Sequence, residues 1–437
     1  MAHRIKNNVT LVAESYLCTS CGACYAICPQ KAITFTFTSI GRKIPSTSNQ
    51  CTQCGLCLKI CPSIDSYKLN EKYKDLFVGK PKNVYIGRTN NHKLYSNAQS
   101  GGLVTATISY LFHHDLIDNA LVCKMKPGKT PTIEGILIGN QDDISQIQKS
   151  CYTPVDLLST LHNINESKRI AVVGLPCHIQ GIRNLMLTSN KFKNIKYTLG
   201  LICDRTLCNG IQDTISSVTK LKNIIIEWRK KDFTYQNNYY PYQKAPIVVK
   251  DTKGNIQVFP NTYRFALKDY FTSPRCRICY DKLNIHSDIT YGDPWSMSNV
   301  DWSHGDSVVI TRTIVGQQLI NEMFKEKSVT LKESDFSEVY KGQRIEERIT
   351  QYTNYIKVVN TLKPQIESYL TRYKGNDGNE ELKNEFKSFI YKESLTKKQI
   401  IKEAISLLNI PQKQSLIKRI FNKFRKVLSL IKHTIIK

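Results

Sequence analysis

Cys18-Thr19-Ser20-Cys21-Gly22-Ala23-Cys24-Tyr25-Ala26-Ile27-Cys28-Pro29 and Cys51-Thr52-Gln53-Cys54-Gly55-Leu56-Cys57-Leu58-Lys59-Ile60-Cys61-Pro62 share one spacing, C-x2-C-x2-C-x3-C-P. Few tasks other than holding two iron–sulfur cubanes require that spacing twice. The x2 intervals let three thiolates and successive backbone N–H groups wrap one corner of a cluster. The fourth cysteine lies beyond a short turn that proline ends, and it ligates the other cluster. The expected ligand sets are therefore crossed. Cys18, Cys21, Cys24 and Cys61 hold one [4Fe–4S] cluster; Cys51, Cys54, Cys57 and Cys28 hold the other. Zinc sites favour paired C-x2-C units from separate segments. A disulfide framework does not suit a chain of this length without a secretory signal.

Residues 10–65 resemble a bacterial-type two-cluster ferredoxin. Between the motifs, Ala32-Ile33-Thr34-Phe35-Thr36-Phe37 alternates like a half-buried strand, one side of a small hairpin.

The whole chain has 437 residues, too many for one such module, and length alone suggests two to three domains. Its formal charge is +26, from 62 basic and 36 acidic residues. Such a field favours acidic partners and says nothing about fold. The start has no apolar h-region, and no stretch reaches the length needed to span a bilayer. Thiolate ligands and oxygen-sensitive clusters suit a reducing cytoplasm.

The expected organisation is a ferredoxin-like head (1–65), a linker (66–82), a larger mixed α/β domain (83–330) and a charged helical region (331–437) ending in a basic tail. Within the α/β part, strands are expected at Val84–Gly87, Asn119–Cys123, Ile133–Ile138, Arg169–Gly174, Tyr197–Cys203, Asp288–Tyr291 and Val308–Arg312. Helices are expected over Gly101–Phe112 and Asp142–Lys149. A hairpin turn is expected at Asp251-Thr252-Lys253-Gly254-Asn255. From Pro411, apolar residues at Ile417, Ile420, Phe421, Phe424, Leu428, Ile431 and Ile435 alternate with lysine and arginine in helical register. This amphipathic helix either packs on its own domain or makes peripheral contact with an anionic membrane.

Five more cysteines lie in three places. Cys177 follows Gly174-Leu175-Pro176, Cys203 follows Gly200-Leu201-Ile202 with Cys208 close behind, and Cys276 and Cys279 form a C-x2-C. Strand C-termini of an open α/β sheet are where cofactors bind, and four thiols could converge there. Buried structural cysteine is the competing account.

The order Ser100-Gly101-Gly102-Leu103-Val104-Thr105-Ala106, Gly174-Leu175-Pro176-Cys177, Gly200-Leu201-Ile202-Cys203, Cys276-x2-Cys279 and Ser287-Asp288-Ile289-Thr290-Tyr291-Gly292-Asp293-Pro294-Trp295 resembles the coenzyme F420 hydrogenase/dehydrogenase beta-subunit family. The resemblance spans residues 83–300. It implies FAD, a third [4Fe–4S] cluster on Cys177, Cys203, Cys276 and Cys279, and electron transfer between a reduced deazaflavin, ferredoxin or another donor and a partner. It also implies flavin contacts at Ser100, Gly101, Gly102, Thr105, Lys149, Ser150, Gly174, Pro176, Gly292 and Asp293. The residues themselves add that a serine can cap a helix and that glycines let the backbone approach an anion. His178 and Asp204 depart from the family's usual glutamine and histidine, which puts the substrate side in doubt. Cys208 is not required by the pattern; Cys123 and Cys151 read as core or near-flavin residues.

The function expected is that of a flavin-dependent iron–sulfur oxidoreductase with an acidic electron-carrier protein or a deazaflavin as partner. A flavin-free electron-transfer subunit is one rival. A family member acting in surface polysaccharide biosynthesis is another. No recognition pattern supports specific nucleic-acid binding.

Overall fold

The computed structural model describes residues 7–64, 75–362 and 380–409. The head carries two strands, β1 (Ile33–Phe37) and β2 (Lys43–Thr47), paired antiparallel, as the alternation of β1 predicts. Its two cysteine runs each fold into a short helix, Ala23–Ile27 and Leu56–Lys59.

The α/β part is built on β3 (Val84–Thr89), β4 (Asn119–Lys126), β5 (Thr132–Ile138), β6 (Ile170–Gly174), β7 (Ile195–Leu201), β8 (Ile224–Glu227), β9 (Phe233–Tyr235), β10 (Asn238–Tyr240), β11 (Ile247–Asp251), β12 (Ile256–Phe259), β13 (Ile289–Gly292), β14 (Ser307–Thr311) and β15 (Val329–Ser334). Eight of them form one sheet in the order β15-β3-β14-β13-β7-β6-β4-β5. The middle four, β13, β7, β6 and β4, are parallel neighbours, while β5 on one side and β14, β3 and β15 on the other pair antiparallel. The parallel strands are apolar because both faces are covered: Ala171, Val172, Leu199 and Ile289 are buried completely. A second sheet, β12-β11-β8, contains the expected hairpin, with Gly254 at φ 88° in its turn.

Two expectations shift. The segment Asp142–Lys149 is a 3-10 turn over Asp142–Gln146, not an α-helix. The chain past residue 330 is mainly helical, at Phe336–Gly342, Ile345–Leu362, Glu380–Ser394 and Lys397–Leu408, but it begins inside β15, which completes the sheet edge along β3. The linker expected at 66–82 is described only from Asp75. There it is no free tether, because Leu76 and Phe77 are buried and Phe77 meets the Tyr352 ring edge-on. The basic helix expected from Pro411 lies outside the described residues.

The head is set into the rest of the molecule. Leu158 N–H donates to the Cys21 carbonyl at 2.9 Å, Asn184 Nδ2 to the Ile60 carbonyl at 3.0 Å, and Asn209 N–H to the Gly41 carbonyl at 2.7 Å. Arg42 donates to both Glu393 carboxylate oxygens at 2.6 and 2.8 Å, which ties the head to the helix Glu380–Ser394.

Candidate iron–sulfur and cofactor site

Cys18, Cys21, Cys24 and Cys61 line one cavity, together with Val9, Phe35, Pro62 and Ser63. Three come from one run and the fourth from the other. The turn is made by Gly22 at φ 87°, and Gly55 at φ 75° occupies the same place in the second copy. The residues before them also match: Ser20 and Gln53 both have positive φ, at 62° and 57°. Ser20 N–H donates to Cys18 Sγ at 3.3 Å. Burial pushes the Cys18 and Cys21 thiols up to about 12. Cys57, beside Cys54 and Cys51, is pushed up to about 11, again by burial first. Asn8 Nδ2 lies 3.8 Å from Cys51 Sγ.

The second set gathers at the ends of the parallel strands. Cys177 opens the helix Pro176–Thr188 directly after β6; Cys203 follows β7; Cys276 and Cys279 come from a loop and short helix (Pro274–Arg277). Burial raises the Cys177 and Cys203 thiols well above their ordinary value. The thiolates of Cys276 and Cys279 add to this in both, so the four stand close together. Thr206 donates to Cys276 Sγ from its backbone N–H, at 3.4 Å. Asp204 tightens the group. Arg348 bridges it to the Cys276 carbonyl, donating at 2.8 Å and 3.2 Å respectively. Burial would raise the Asp204 carboxyl, but Arg205, Arg348, Lys268 and Lys282 outweigh burial and hold it far below the usual carboxylate range. His178 accepts from Leu175 N–H through Nδ1 and donates from Nε2 to the Val155 carbonyl, each at 3.2 Å. It braces the turn before Cys177.

The two sets are neighbours. Of the thiols that disfavour the Cys177 thiolate, Cys21 contributes most, and a side chain at Gly181 would stand 3.8 Å from Cys21 Sγ. Cys208 is buried among Ile40, Ile211 and Phe271, a core position. Cys123 and Cys151 are half-buried free thiols that pack on one apolar cluster, near enough to perturb each other's thiols.

The expected cofactor contacts divide. Ser100–Thr105 and Lys149–Ser150 come together: Lys149 Nζ donates to the Asn97 carbonyl at 2.6 Å, Ser150 N–H to Gln99 Oε1 at 3.1 Å, and Gln148 Nε2 to Thr105 Oγ1 at 3.4 Å. Gly174 and Pro176 belong with Cys177 instead. Ser100 does not cap the following helix; the cap is Gly102, at φ 74°. Ser100 Oγ is 2.9 Å from Ser307 Oγ, which also receives the Gly101 N–H. Gly101 is glycine for packing, because a Cβ would stand 2.3 Å from the Gly87 carbonyl oxygen. Gly292 likewise packs on Ile202.

Sequence reasoning missed Glu227, Arg229 and Lys231. Their side chains reach three of the expected places: Glu227 lies 3.6 Å from Lys149, Arg229 bonds Asp293 at 2.5 Å, and Lys231 donates to the Ser100 carbonyl at 2.6 Å. The signal was their period-two spacing in an extended segment. Burial lowers both Lys149 and Lys231 to about 8. Beside Asp293, Tyr242, Trp295 and Trp302 stack with centroids 6.0 to 6.2 Å apart, and Arg229 lies over two of the rings.

The thiols fit iron–sulfur clusters. They are soft; Cys21, Cys24, Cys57 and Cys61 are buried, Cys18 and Cys276 receive backbone N–H groups, and lone thiolates in such places are costly without a cation. Among the described residues no three His, Cys, Asp or Glu groups are close enough to hold a single metal ion. Cubane ligands stand farther apart, one sulfur on each iron. The Lys149 and Lys231 ammonium groups and the unpartnered, buried Gln99 Nε2 fit a phosphate-bearing cofactor.

Cysteine spacings of this kind on this fold mark an iron–sulfur protein. The chain belongs to the coenzyme F420 hydrogenase/dehydrogenase beta-subunit family: the N-terminal model matches residues 84–162 and the C-terminal model residues 167–336. A 4Fe–4S dicluster domain matches residues 17–64. The coenzyme F420-dependent sulfite reductase of Methanocaldococcus jannaschii is 26% identical over 77% of this chain, and the chain spans about half (51%) of that protein. The beta subunit of the coenzyme F420 hydrogenase of Methanosarcina barkeri is 23% identical, over 56% of this chain and 80% of that one. A chain of the F420-reducing [NiFe] hydrogenase complex from Methanosarcina barkeri shares the fold, with a TM-score of 0.52 and 20% identity over 67% of this chain and 95% of that chain. Among the described residues no helix is long and apolar enough to cross a membrane.

Proposed function

We propose that this chain is a flavin-dependent relay that carries electrons between three [4Fe–4S] clusters and FAD, exchanging them with a reduced deazaflavin or an acidic carrier protein. The proposed ligands are Cys18, Cys21, Cys24 and Cys61; Cys51, Cys54, Cys57 and Cys28; and Cys177, Cys203, Cys276 and Cys279. The observation that carries this reading is that Cys21 packs against the helix Cys177 opens, where a side chain at Gly181 would stand 3.8 Å from Cys21 Sγ.

FAD, when bound, supplies the exchange between one-electron and two-electron transfer. The residues of the chain then have distinct duties. Lys149 and Lys231 hold the cofactor's phosphates with the Leu103–His113 helix N-terminus beneath them. The Tyr242, Trp295 and Trp302 stack offers a flat wall for a planar ring, and Arg229 and Asp293 fix it in place. N–H groups on the cysteine sulfurs and burial tune each cluster's potential. The basic field draws an acidic carrier, and that attraction weakens as salt rises. The names of the relatives make coenzyme F420 the first substrate to try, in a reducing cytoplasm.

Anaerobic iron, sulfide and flavin analysis with EPR of the reduced protein tests the reading. The expected content is about twelve irons per chain, from three four-iron cubanes, and one FAD. About eight irons would remove the third cluster. Clusters without flavin would leave a plain electron-transfer protein.

A further inference from the structure

Arg275 is buried, only 6% exposed, and stands next to Cys276 on the short helix Pro274–Arg277. Its Nη1 donates to the Ile278 carbonyl at 3.0 Å and its Nη2 to the Pro62 carbonyl at 3.3 Å. Its Nε is buried with no hydrogen-bond partner. Pro62 follows Cys61 and lines the cavity of Cys18, Cys21, Cys24 and Cys61. The guanidinium therefore lies between the head set and the strand-end set.

Its surroundings are unlike those of four other buried arginines, which each pair with a carboxylate. Arg42 pairs with Glu393, Arg229 with Asp293, Arg277 with Glu385 and Arg348 with Asp204. Among the described residues, the acidic groups that act most strongly on Arg275 are the thiols of Cys279 and Cys276 and the phenols of Tyr280 and Tyr352, and Arg275 in turn favours the Cys61 thiolate on the head side. An arginine cannot shed its proton, so a buried one without a carboxylate needs another negative charge. A cubane with four thiolate ligands is such a charge, and it gains one more negative unit on reduction.

We propose that Arg275 is the shared counter-charge of two neighbouring clusters, one held by Cys18, Cys21, Cys24 and Cys61 and one by Cys177, Cys203, Cys276 and Cys279, and that it raises the reduction potential of both. The proposal rests on the three-cluster reading above. A fixed cation favours the more negative, reduced state of each cluster. Serving both, it shifts the two potentials in the same direction. The centre of Cys51, Cys54, Cys57 and Cys28 has no such contact and keeps its own potential.

The test is an anaerobic redox titration followed by EPR, on the full chain, for wild type, Arg275→Gln and Arg275→Lys, with iron measured in each. Arg275→Gln is expected to move two of the three potentials to more negative values and leave the third in place. Arg275→Lys, which keeps the charge, is expected to stay near wild type. Full iron content with unmoved potentials in Arg275→Gln overturns the role of Arg275 and leaves the three clusters standing. Equal shifts in both variants overturn it too, because geometry and not charge would then be responsible. Should Arg275→Gln lose iron, Arg275→Lys decides: wild-type potentials support the proposal, whereas displaced potentials or lost iron overturn it. About eight irons in the wild type would sink the three-cluster reading itself, and this inference with it.

Discussion

The head and the strand ends each bring four thiols together, by opposite means. In the head, three of four come from seven consecutive residues, Cys18 to Cys24, and the backbone between them repeats in the second copy down to the positive φ of Ser20 and Gln53 and of Gly22 and Gly55. At the strand ends, the four thiols come from three segments between Cys177 and Cys279, and parallel pairing of β6, β7 and β13 brings two of those segments side by side. The first arrangement is local and survives as a motif. The second exists only once the sheet has formed. On the proposed ligand sets, a cluster in the head would help to fold its own loop, whereas a cluster at the strand ends would occupy a scaffold that the sheet has already built.

The largest effect expected from this contrast is on metal content. Cys276→Ala should remove one cluster, about four of twelve irons, and leave the head signals in the EPR spectrum. Cys61→Ala should remove a head cluster and also loosen the loop around it, seen as faster proteolysis within residues 18–61. Unchanged iron in Cys276→Ala would reject that ligand assignment; an intact head loop in Cys61→Ala would remove the distinction between the two regions.

The next effect concerns how the head is held. Arg42 is 5% exposed and bonds both carboxylate oxygens of Glu393. Glu393→Ala leaves that guanidinium buried and unpaired, and should cost about 3–5 kcal/mol in denaturant unfolding. A loss under about 1 kcal/mol would mean that the surface pair value applies and that the head is less firmly enclosed.

Two left-handed glycines give a smaller contrast. At Gly22 a Cβ would stand 2.6 Å from the Asp156 carbonyl oxygen and the Ser159 nitrogen, whereas at Gly254 nothing lies within 4 Å. Gly254→Ala should cost about 1–2 kcal/mol, from the backbone conformation alone. Gly22→Ala adds a backbone collision and should cost about 2–4 kcal/mol by the same denaturation assay. Equal losses would show that the head can shift away from Asp156 and Ser159.

What was legible in the sequence follows the same division. The crossed pairing of the head could be read from spacing, because turn geometry and ligand spacing are properties of a dozen neighbouring residues. The buried strand β6 could be read too, as an unbroken apolar run, and β7 from its largely apolar second half. The strand-end set needed a resemblance, since no local rule joins Cys177 to Cys276. Glu227, Arg229 and Lys231 were illegible for another reason: alternating charges usually mark a solvated strand face, and here they turn inward to Lys149, Asp293 and Ser100. Ser100 was misread as a cap because serine favours that position, but Gly102 takes it, freeing the Ser100 hydroxyl for Ser307. β15 was hidden by its charges, Lys332 and Glu333, on an edge strand where one side can stay wet.

The smallest effect bears on His178, which stands next to the strand-end cysteine Cys177. Its ring is buried and bonded on both nitrogens, as acceptor from Leu175 N–H and donor to the Val155 carbonyl, so the folded protein holds it neutral. Burial lowers it from 6.5 to about 4. Between those values the unfolded chain binds a proton that the folded chain refuses. Stability from this group is thus complete above pH 6.5 and is lost as pH falls below it. From about pH 7 to about 5.5 the loss should be about 1 kcal/mol. His178→Gln can keep the hydrogen bonds but has nothing to titrate, so its urea midpoint should fall less over that interval, measured anaerobically with iron retained. If the two proteins lose stability in parallel, the acid sensitivity lies elsewhere, and the turn before Cys177 is held by packing and not by the imidazole.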